Sequence, residues 1–140
     1  NKVRVKFIGE RENLPKKIKK NIDHLENITK NNNLLNLHIA FNYGSLSELV
    51  LSINKFIKLN QNSNSLINEQ IIRDNLYLYD VPDPDILIRT GGFQRLSNFL
   101  LFQLSYTELF FTKTLWPDFN KKEIINIFKK YRYIERKYGL

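Results

Sequence analysis

A short apolar run that ends in an arginine and two glycines constrains the fold of this chain more than any other feature. Residues 86–88 (Ile-Leu-Ile) are too few for a helix and suit a buried strand that Asp85 opens. Arg89 ends the run and the loop Thr90-Gly91-Gly92 follows. Glycine permits a sharp turn or a close approach of the backbone to a ligand. The pattern predicts a strand over residues 85–88 that leads directly into a tight loop.

The residues behind this loop predict an anion-binding junction. Ser97 stands where it can cap an apolar helix over residues 98–104, and Arg95 lies just before it. Two guanidinium groups, a hydroxyl and the N–H groups of a helix N-terminus suit a phosphate or diphosphate. Glu108, in a strand predicted over residues 108–112, is a candidate oxygen ligand for a metal ion. A simpler interpretation stays open, because a Gly-Gly pair is usually only a turn and such an arginine is usually solvated or ion-paired.

The rest of the chain alternates strands with helices. Hydrophobic periodicity and capping signals predict strands over residues 3–8 and 35–41 and helices that begin at Leu14-Pro15, Ser45, about Ile67 and Asn120. The first helix takes Pro15 at its first position and a buried face of Ile18, Ile22, Leu25 and Ile28. Ser45 and Glu48 have capping-box spacing in a helix to about residue 59, and Asn120 and Glu123 cap the last helix, to about residue 137. Residues 60–65 predict a mobile surface loop.

This order of elements predicts an α/β fold. Strands that alternate with helices form a mostly parallel sheet with helices on both faces, a three-layer α/β/α arrangement, and the apolar strand 35–41 fits burial on both sides. The 140 residues fit one domain. Ligands of such sheets lie beyond the carboxyl ends of the strands. Tyr43 and Arg89 both fall at such ends.

Composition narrows the classes of partner. The chain has no cysteine, which excludes disulfides and thiolate zinc sites, and no apolar run approaches the roughly 20 residues of a spanning helix. A net charge of +8 suggests diphosphates, anionic lipid headgroups or nucleic acid as partners. Much of that charge lies on predicted helices, where a basic run is usually a solvated face: Lys16, Lys17, Lys19, Lys20, Lys129, Lys130, Arg132, Arg136 and Lys137. Because the chain begins without methionine, we expect it to start inside a longer reading frame.

Residues 85–119 closely resemble the C-terminal signature of the cis-prenyltransferases, the undecaprenyl diphosphate synthase family. The matching segments are 88–92 (IRTGG), 95–101 (RLSNFLL), 108–111 (ELFF) and 115–119 (LWPDF). The turn Asn42-Tyr43-Gly44 after a strand also resembles this family. The resemblance extends from Val3 to Gly139 but covers only about the second half of a family member. The chain contains no Asp-Gly-Asn-Arg phosphate loop, so it is expected to be a partial domain that lacks the N-terminal strand and that loop.

The resemblance implies a reaction and roles for single residues. Family members condense isopentenyl diphosphate with an allylic prenyl diphosphate, form a cis double bond and release diphosphate, with Mg²⁺ as cofactor. By resemblance, Arg89, Arg95 and Ser97, with Leu96 between them, hold the diphosphate of isopentenyl diphosphate, and Glu108 ligates Mg²⁺. Further candidates are Asn42, Tyr43, Gly91, Gly92 and Arg136. Arg136 would either reach the site of a neighbouring subunit or be a solvated helix end.

The resemblance also implies partners and limits. Family members are homodimers, and the aromatic-rich segment 99–111 is expected either at the dimer interface or in the core. The prenyl product implies contact with a membrane surface, in the cytoplasm or an organelle. Leu46 replaces a family arginine, and Phe93 stands where an acidic or polar residue is frequent. With one diphosphate site and half of a metal site, the isolated chain is expected to be inactive.

Two other functions remain open at the level of the sequence. The first is a non-catalytic regulatory subunit of a two-subunit prenyltransferase, although such subunits lose phosphate-binding residues and this chain keeps Arg89, Arg95, Ser97 and Glu108. The second is a basic nucleic-acid-binding module, which would interleave basic residues with exposed aromatic ones. The aromatic residues here lie in runs typical of a core or an apolar interface. We therefore expect no nucleic-acid partner.

Overall fold

The computed structural model describes residues 2–60 and 66–136. Its elements are β1 (Val3–Ile8), α1 (Lys16–Thr29), β2 (Leu35–Ala40), α2 (Ser45–Leu59), α3 (Glu69–Asp74), β3 (Ile86–Arg89), β4 (Glu108–Phe111), a 3₁₀ turn (Trp116–Asp118) and α4 (Lys121–Tyr131). The chain divides into two compact units, Asn1–Val81 and Pro82–Leu140. Among the described residues, no helix is both long and apolar enough to cross a membrane.

In the N-terminal unit, β1 and β2 form a parallel pair whose outer edge is closed by a helix. The register runs from Val3 opposite Leu35 to Ile8 opposite Ala40. On the other side of β1, the amide of Val5 donates to Thr29 Oγ1 (3.1 Å) and that of Phe7 to Glu26 Oε1 (2.8 Å). Side chains of α1 therefore satisfy backbone groups that an edge strand would otherwise expose.

The carboxyl ends of β1 and β2 are tied together at close range. Gly9 follows β1 with φ = +126°, and a Cβ atom there would stand 2.1 Å from the carbonyl oxygen of Phe41. Only glycine fits this position. Asn42 Nδ2 donates to the carbonyl oxygen of Glu10 (2.9 Å), and the Glu10 amide donates to the carbonyl oxygen of Asn42 (3.1 Å). Both chains thus leave the sheet at one edge.

In the C-terminal unit, β3 and β4 form a second parallel pair. Ile86 lies opposite Glu108 and Arg89 opposite Phe111. Among the described residues of this unit, the buried apolar side chains are Leu100, Leu104 and Ile127. Two parallel pairs with helices confirm the prediction of an α/β fold with parallel strands.

Local signals predicted most element boundaries. The strand over residues 3–8 and the helix over residues 45–59 are confirmed, and β2, β3 and β4 end within one residue of their predicted limits. The capping box of Asn120 and Glu123 is present, but α4 ends at Tyr131, and Lys137 lies outside the described residues. Pro15 is the N-cap of α1 rather than its first residue. Residues 61–65 of the predicted mobile loop also lie outside the described residues.

The helix predicted over residues 98–104 is wrong. These residues form successive turns. Ser97, Asn98 and Leu100 have φ values of +51°, +61° and +45°. A right-handed helix cannot contain such residues, and a helix N-cap residue is normally extended, so Ser97 does not cap a helix.

Three further predictions need correction. The N-cap of α2 is Gly44, so Ser45 is the first helical residue and forms no capping box with Glu48, which is buried instead. No residue of β2 is buried, contrary to the predicted burial on both faces: Leu35 is 56% and Leu37 45% exposed, and Asn36 and Ala40 on the opposite face are exposed too. Of the predicted apolar face of α1, Ile22 is buried, whereas Leu25 and Ile28 are exposed.

Glu26 links α1 to β1 as a carboxylate. Besides the Phe7 amide, it accepts a hydrogen bond from Arg11 Nη2 at 2.6 Å. Burial raises the pKa of this carboxyl, but the hydrogen bonds from Arg11 and Phe7 and the charges of Arg11 and Lys6 outweigh it. The pKa of Glu26 in the folded chain therefore lies below its ordinary value of 4.5.

We expect Glu26→Gln to remove part of the acid sensitivity of the fold. Because the folded pKa is depressed, the carboxylate stabilises the fold above the unfolded pKa, and this contribution disappears as the pH falls from about 4.5 through the folded pKa. Urea unfolding at pH 7 and at a series of pH values below 4.5 should show a smaller loss of stability for the variant than for the wild type. Glu12→Gln, at an exposed position of the same unit, is the control. Equal losses in the wild type and Glu26→Gln would contradict the assignment.

Candidate anion-binding site

Arg89, Arg95 and Ser97 come together at the carboxyl end of β3. Arg89 Nη1 donates to Ser97 Oγ at 2.8 Å and also to the carbonyl oxygen of Arg95. The side chain of the last strand residue thereby fixes the loop that follows it. A cavity of about 340 Å³ lies at this point, lined by Leu87, Ile88, Arg89, Thr90, Arg95, Leu96, Ser97 and Phe99. The four residues predicted to hold a diphosphate therefore line one cavity.

The hydrogen-bond donors of this cavity differ from those expected. Because no helix starts at Asn98, the helix N-terminus predicted there contributes neither N–H groups nor a dipole to the site. The backbone of Ser97 is left-handed, and its hydroxyl oxygen accepts a hydrogen bond from Arg89. The hydroxyl hydrogen can still donate to a bound anion, since a serine oxygen accepts and donates at once. Side chains rather than a helix end give the cavity its positive character.

An aromatic ring lies against both arginines. The Cζ atom of Arg95 is 4.4 Å from the ring centroid of Phe93, and that of Arg89 is 5.9 Å away. Within residues 2–60 and 66–136, neither guanidinium pairs with a carboxylate. The cavity therefore carries two positive charges that an anionic ligand can balance.

The two glycines of the loop are held by the segment after β4. The Gly91 amide donates to the carbonyl oxygen of Thr114 and the Gly92 amide to that of Thr112, both at 2.9 Å. Their φ values of +86° and +82° are left-handed, which glycine adopts without strain. Since both amides are engaged within the chain, these residues position the loop rather than present N–H groups to the cavity.

Glu123 anchors that segment from α4. Its Oε1 atom accepts hydrogen bonds from Thr114 Oγ1 (2.6 Å) and Thr112 Oγ1 (3.2 Å), and its Oε2 atom accepts from the Asn120 amide (3.4 Å). The sequence assigns Glu123 to the helix cap alone. No local sequence signal marks its second contact, which reaches 9 to 11 residues back along the chain.

Glu108, the predicted metal ligand, lies away from this cavity. It opens β4 opposite Ile86, whereas Arg89 pairs three positions further on, about 10 Å along the strands. Side chains alternate along a strand, so Glu108 and Arg89 point to opposite faces of the pair. Among the described residues, no group of three His, Cys, Asp or Glu side chains could hold a metal ion. Glu108 thus belongs to no such cluster among the described residues, and its role as a magnesium ligand stays a prediction.

Arg136 lies at the other end of β3 from the cavity. It donates to Asp85 Oδ1 (2.5 Å), to Tyr131 Oη (3.1 Å) and to the carbonyl oxygen of Tyr106 (3.4 Å). Its side chain is 25% exposed, and α4 has already ended at Tyr131. The interpretation of Arg136 as a solvated helix end is therefore wrong, and its role toward a neighbouring subunit stays a prediction.

Asn42 and Tyr43 belong to the N-terminal unit and stabilise the turn after β2. Tyr43 Oη donates to Glu48 Oε2 (2.5 Å), and the Tyr77 amide donates to Glu48 Oε1 (2.7 Å). Glu48 is only 3% exposed, so this carboxylate is a buried link between three segments. Burial, together with the charges of Glu10 and Glu48, raises the pKa of Tyr77. The sequence did not identify this role of Glu48.

Parallel strand pairs define an α/β protein, and the cavity with two arginines at a strand end is its candidate anion site. The family model “Putative undecaprenyl diphosphate synthase” matches residues 1–139, and the chain belongs to this family. An isoprenyl transferase of Fusobacterium nucleatum is 46% identical over 140 residues, which are 99% of this chain and 59% of that protein.

A second relative and a solved structure support the same family assignment. A tritrans,polycis-undecaprenyl-diphosphate synthase (geranylgeranyl-diphosphate specific) of Pyrobaculum aerophilum is 40% identical over 99% of this chain and 59% of its own length. The crystal structure of a probable undecaprenyl diphosphate synthase from Campylobacter jejuni matches with a TM-score of 0.89 and 34% identity, over 99% of this chain and 64% of that one. The chain thus spans about three fifths of the length of these two curated relatives.

We expect Glu123→Ala to loosen the glycine loop of the candidate site. The variant removes the acceptor of two threonine hydroxyls and half of a capping box, which should lower the free energy of unfolding by about 1–2 kcal/mol. Hydrogen exchange of the Gly91 and Gly92 amides should become faster. The control is Glu69→Ala, in the first turn of α3. Unchanged exchange at both glycines would show that Glu123 does not position the loop.

Proposed function

We propose that the full-length protein elongates a prenyl diphosphate with isopentenyl diphosphate and forms cis double bonds. In this proposal, the present chain supplies the site for isopentenyl diphosphate. Support comes from the relatives named isoprenyl transferase and geranylgeranyl-diphosphate-specific synthase. The observation that carries the proposal is the single cavity lined by Arg89, Arg95, Leu96 and Ser97, with two guanidiniums that lack carboxylate partners among the described residues.

The chemistry of the cavity suits the diphosphate end of that substrate. A guanidinium presents a planar fork of N–H donors that pairs with two phosphate oxygens at once. Arg89 is already aligned by Ser97 and the carbonyl oxygen of Arg95, so little ordering is needed on binding. The apolar side chains of Leu87, Leu96 and Phe99 in the same wall can contact the isoprenyl carbons. Binding by these groups orients the substrate for attack on the allylic partner.

The remaining expectations apply to the full-length protein. We propose one α/β/α domain with helices on both faces of its sheet, a homodimer, and activity at a membrane surface. The exposed aromatic side chains of Phe99, Tyr106 and Phe111 support an interface in segment 99–111. Magnesium is expected as cofactor, with Glu108 as one carboxylate ligand that needs partners beyond the described residues.

Arg89→Ala and Arg95→Ala should each raise the KM for isopentenyl diphosphate in the full-length protein. Loss of one charge-assisted hydrogen bond to a phosphate costs about 1.5–3 kcal/mol, which predicts a rise of about tenfold or more. Incorporation of radiolabelled isopentenyl diphosphate measures this, with the allylic substrate saturating. Arg132→Ala, at the exposed end of α4, removes the same charge elsewhere and should leave KM unchanged. An unchanged KM in both site variants would refute the assignment of the cavity.

The isolated 140-residue chain should not catalyse prenyl transfer, because it spans only about three fifths of these relatives and, among its described residues, Glu108 belongs to no cluster of metal-ligating side chains. It should nevertheless bind inorganic diphosphate. Single-turnover assays at stoichiometric protein concentration, with Mg²⁺ and both substrates present, test this. Detectable elongation product would contradict the expectation, and the full-length protein is the positive control.

A further inference from the structure

We propose that Phe93 is a positioning residue that holds the guanidiniums of Arg89 and Arg95 in place for a phosphate-type anion by cation–π contact. This inference rests on the proposed function, because it concerns the same cavity. It assigns a role to a side chain that does not itself line that cavity.

The geometry carries the inference. Both Cζ atoms lie within about 6 Å of the ring centroid, the range in which a cation is attracted to the ring face. The ring is 55% exposed, so it is not held there by burial in a core. Among the described residues, the guanidinium of Arg95 lies over this ring, and the backbone carbonyl oxygen of Arg95 accepts a hydrogen bond from Arg89. Of these residues, Phe93 is therefore placed to restrain the Arg95 guanidinium.

An aromatic ring suits this task better than a carboxylate would. A carboxylate accepts the N–H groups of arginine in the guanidinium plane, which are the groups that a phosphate needs. A ring attracts the cation through its face and accepts no conventional N–H hydrogen bond in that plane. It therefore reduces the freedom of the arginine while its charge and its in-plane donors remain available.

One ring shared by two arginines also lowers the cost of placing like charges near each other. Each guanidinium gains attraction to this one ring before a ligand arrives. A ligand with several negative oxygens, such as a diphosphate, can then engage both cations at once. We therefore expect the ring to favour a multiply charged phosphate ester over a carboxylate of single charge.

Titration calorimetry of the 140-residue chain with inorganic diphosphate, in metal-free buffer, tests the role of the ring. Phe93→Leu keeps an apolar side chain but removes the ring, and Kd should rise about two- to fivefold, the size of an exposed cation–π contact. Phe93→Trp keeps an aromatic face and should retain the wild-type Kd or lower it. Phe93→Glu should weaken binding more than Phe93→Leu, because a carboxylate there would occupy the arginine donors.

Phe128→Leu is the matched control. It makes the same change at a side chain of α4 that is 51% exposed, and its Kd should equal that of the wild type. A second readout is independent of affinity. In the wild type, NMR signals of the Arg95 side chain should be shifted by the ring current of Phe93, and Phe93→Leu should abolish that shift while Phe128→Leu preserves it.

The results separate this inference from the proposed function. If the wild type binds diphosphate, Arg89→Ala loses binding and Phe93→Leu binds as the wild type does, the role of Phe93 is overturned and the diphosphate site stands. If the wild-type chain is folded by circular dichroism and binds no diphosphate, the cavity is not a diphosphate site and both proposals fail. Weaker binding in Phe93→Leu that Phe93→Trp does not share supports the inference.

Discussion

Parallel pairing makes neighbouring strands end at the same edge of a sheet, and the rest of this structure depends on how that edge is arranged. In the N-terminal unit, Gly9 passes so close to the carbonyl oxygen of Phe41 that no side chain fits. In the C-terminal unit, the amides of Gly91 and Gly92 reach across to the segment after β4. In both units, backbone contacts fix the point where a strand becomes a loop. The loop that carries Arg95 and Ser97 starts from such a fixed point.

Signals that act over a few residues were sufficient to predict most of the fold. The alternation over residues 3–8 and the capping box of Asn120 with Glu123 depend on near neighbours in the chain, and both are confirmed. The apolar run after Ser97 was misleading, because turns bury Leu100 and Leu104 as a helix would have done. The hydrophobic pattern of this segment indicates only that some of its residues are buried. The backbone conformation is not helical, because three residues there are left-handed.

The predicted site residues lie close together in the sequence, whereas the residues that position other parts of the chain make contacts far along it. Arg89, Arg95, Leu96 and Ser97 were identified from the sequence because they lie within nine consecutive residues, and they line one cavity. Glu48 contacts the Tyr77 amide 29 residues away, and such a partner leaves no local pattern. Glu108 lies close to these residues in the sequence but away from them in the structure. A short segment of sequence does not indicate which end or face of a strand a carboxylate occupies.

The hydrogen bonds from Val5 and Phe7 to side chains of α1 have a consequence for assembly. They close the outer edge of β1, while β2 has β1 as its only strand partner among the described residues. Any further strand that joins this pair must therefore add on the β2 side, where Leu35 and Leu37 are exposed. The sheet of the N-terminal unit can grow in one direction only, and the carboxylate of Glu26 helps to set that direction.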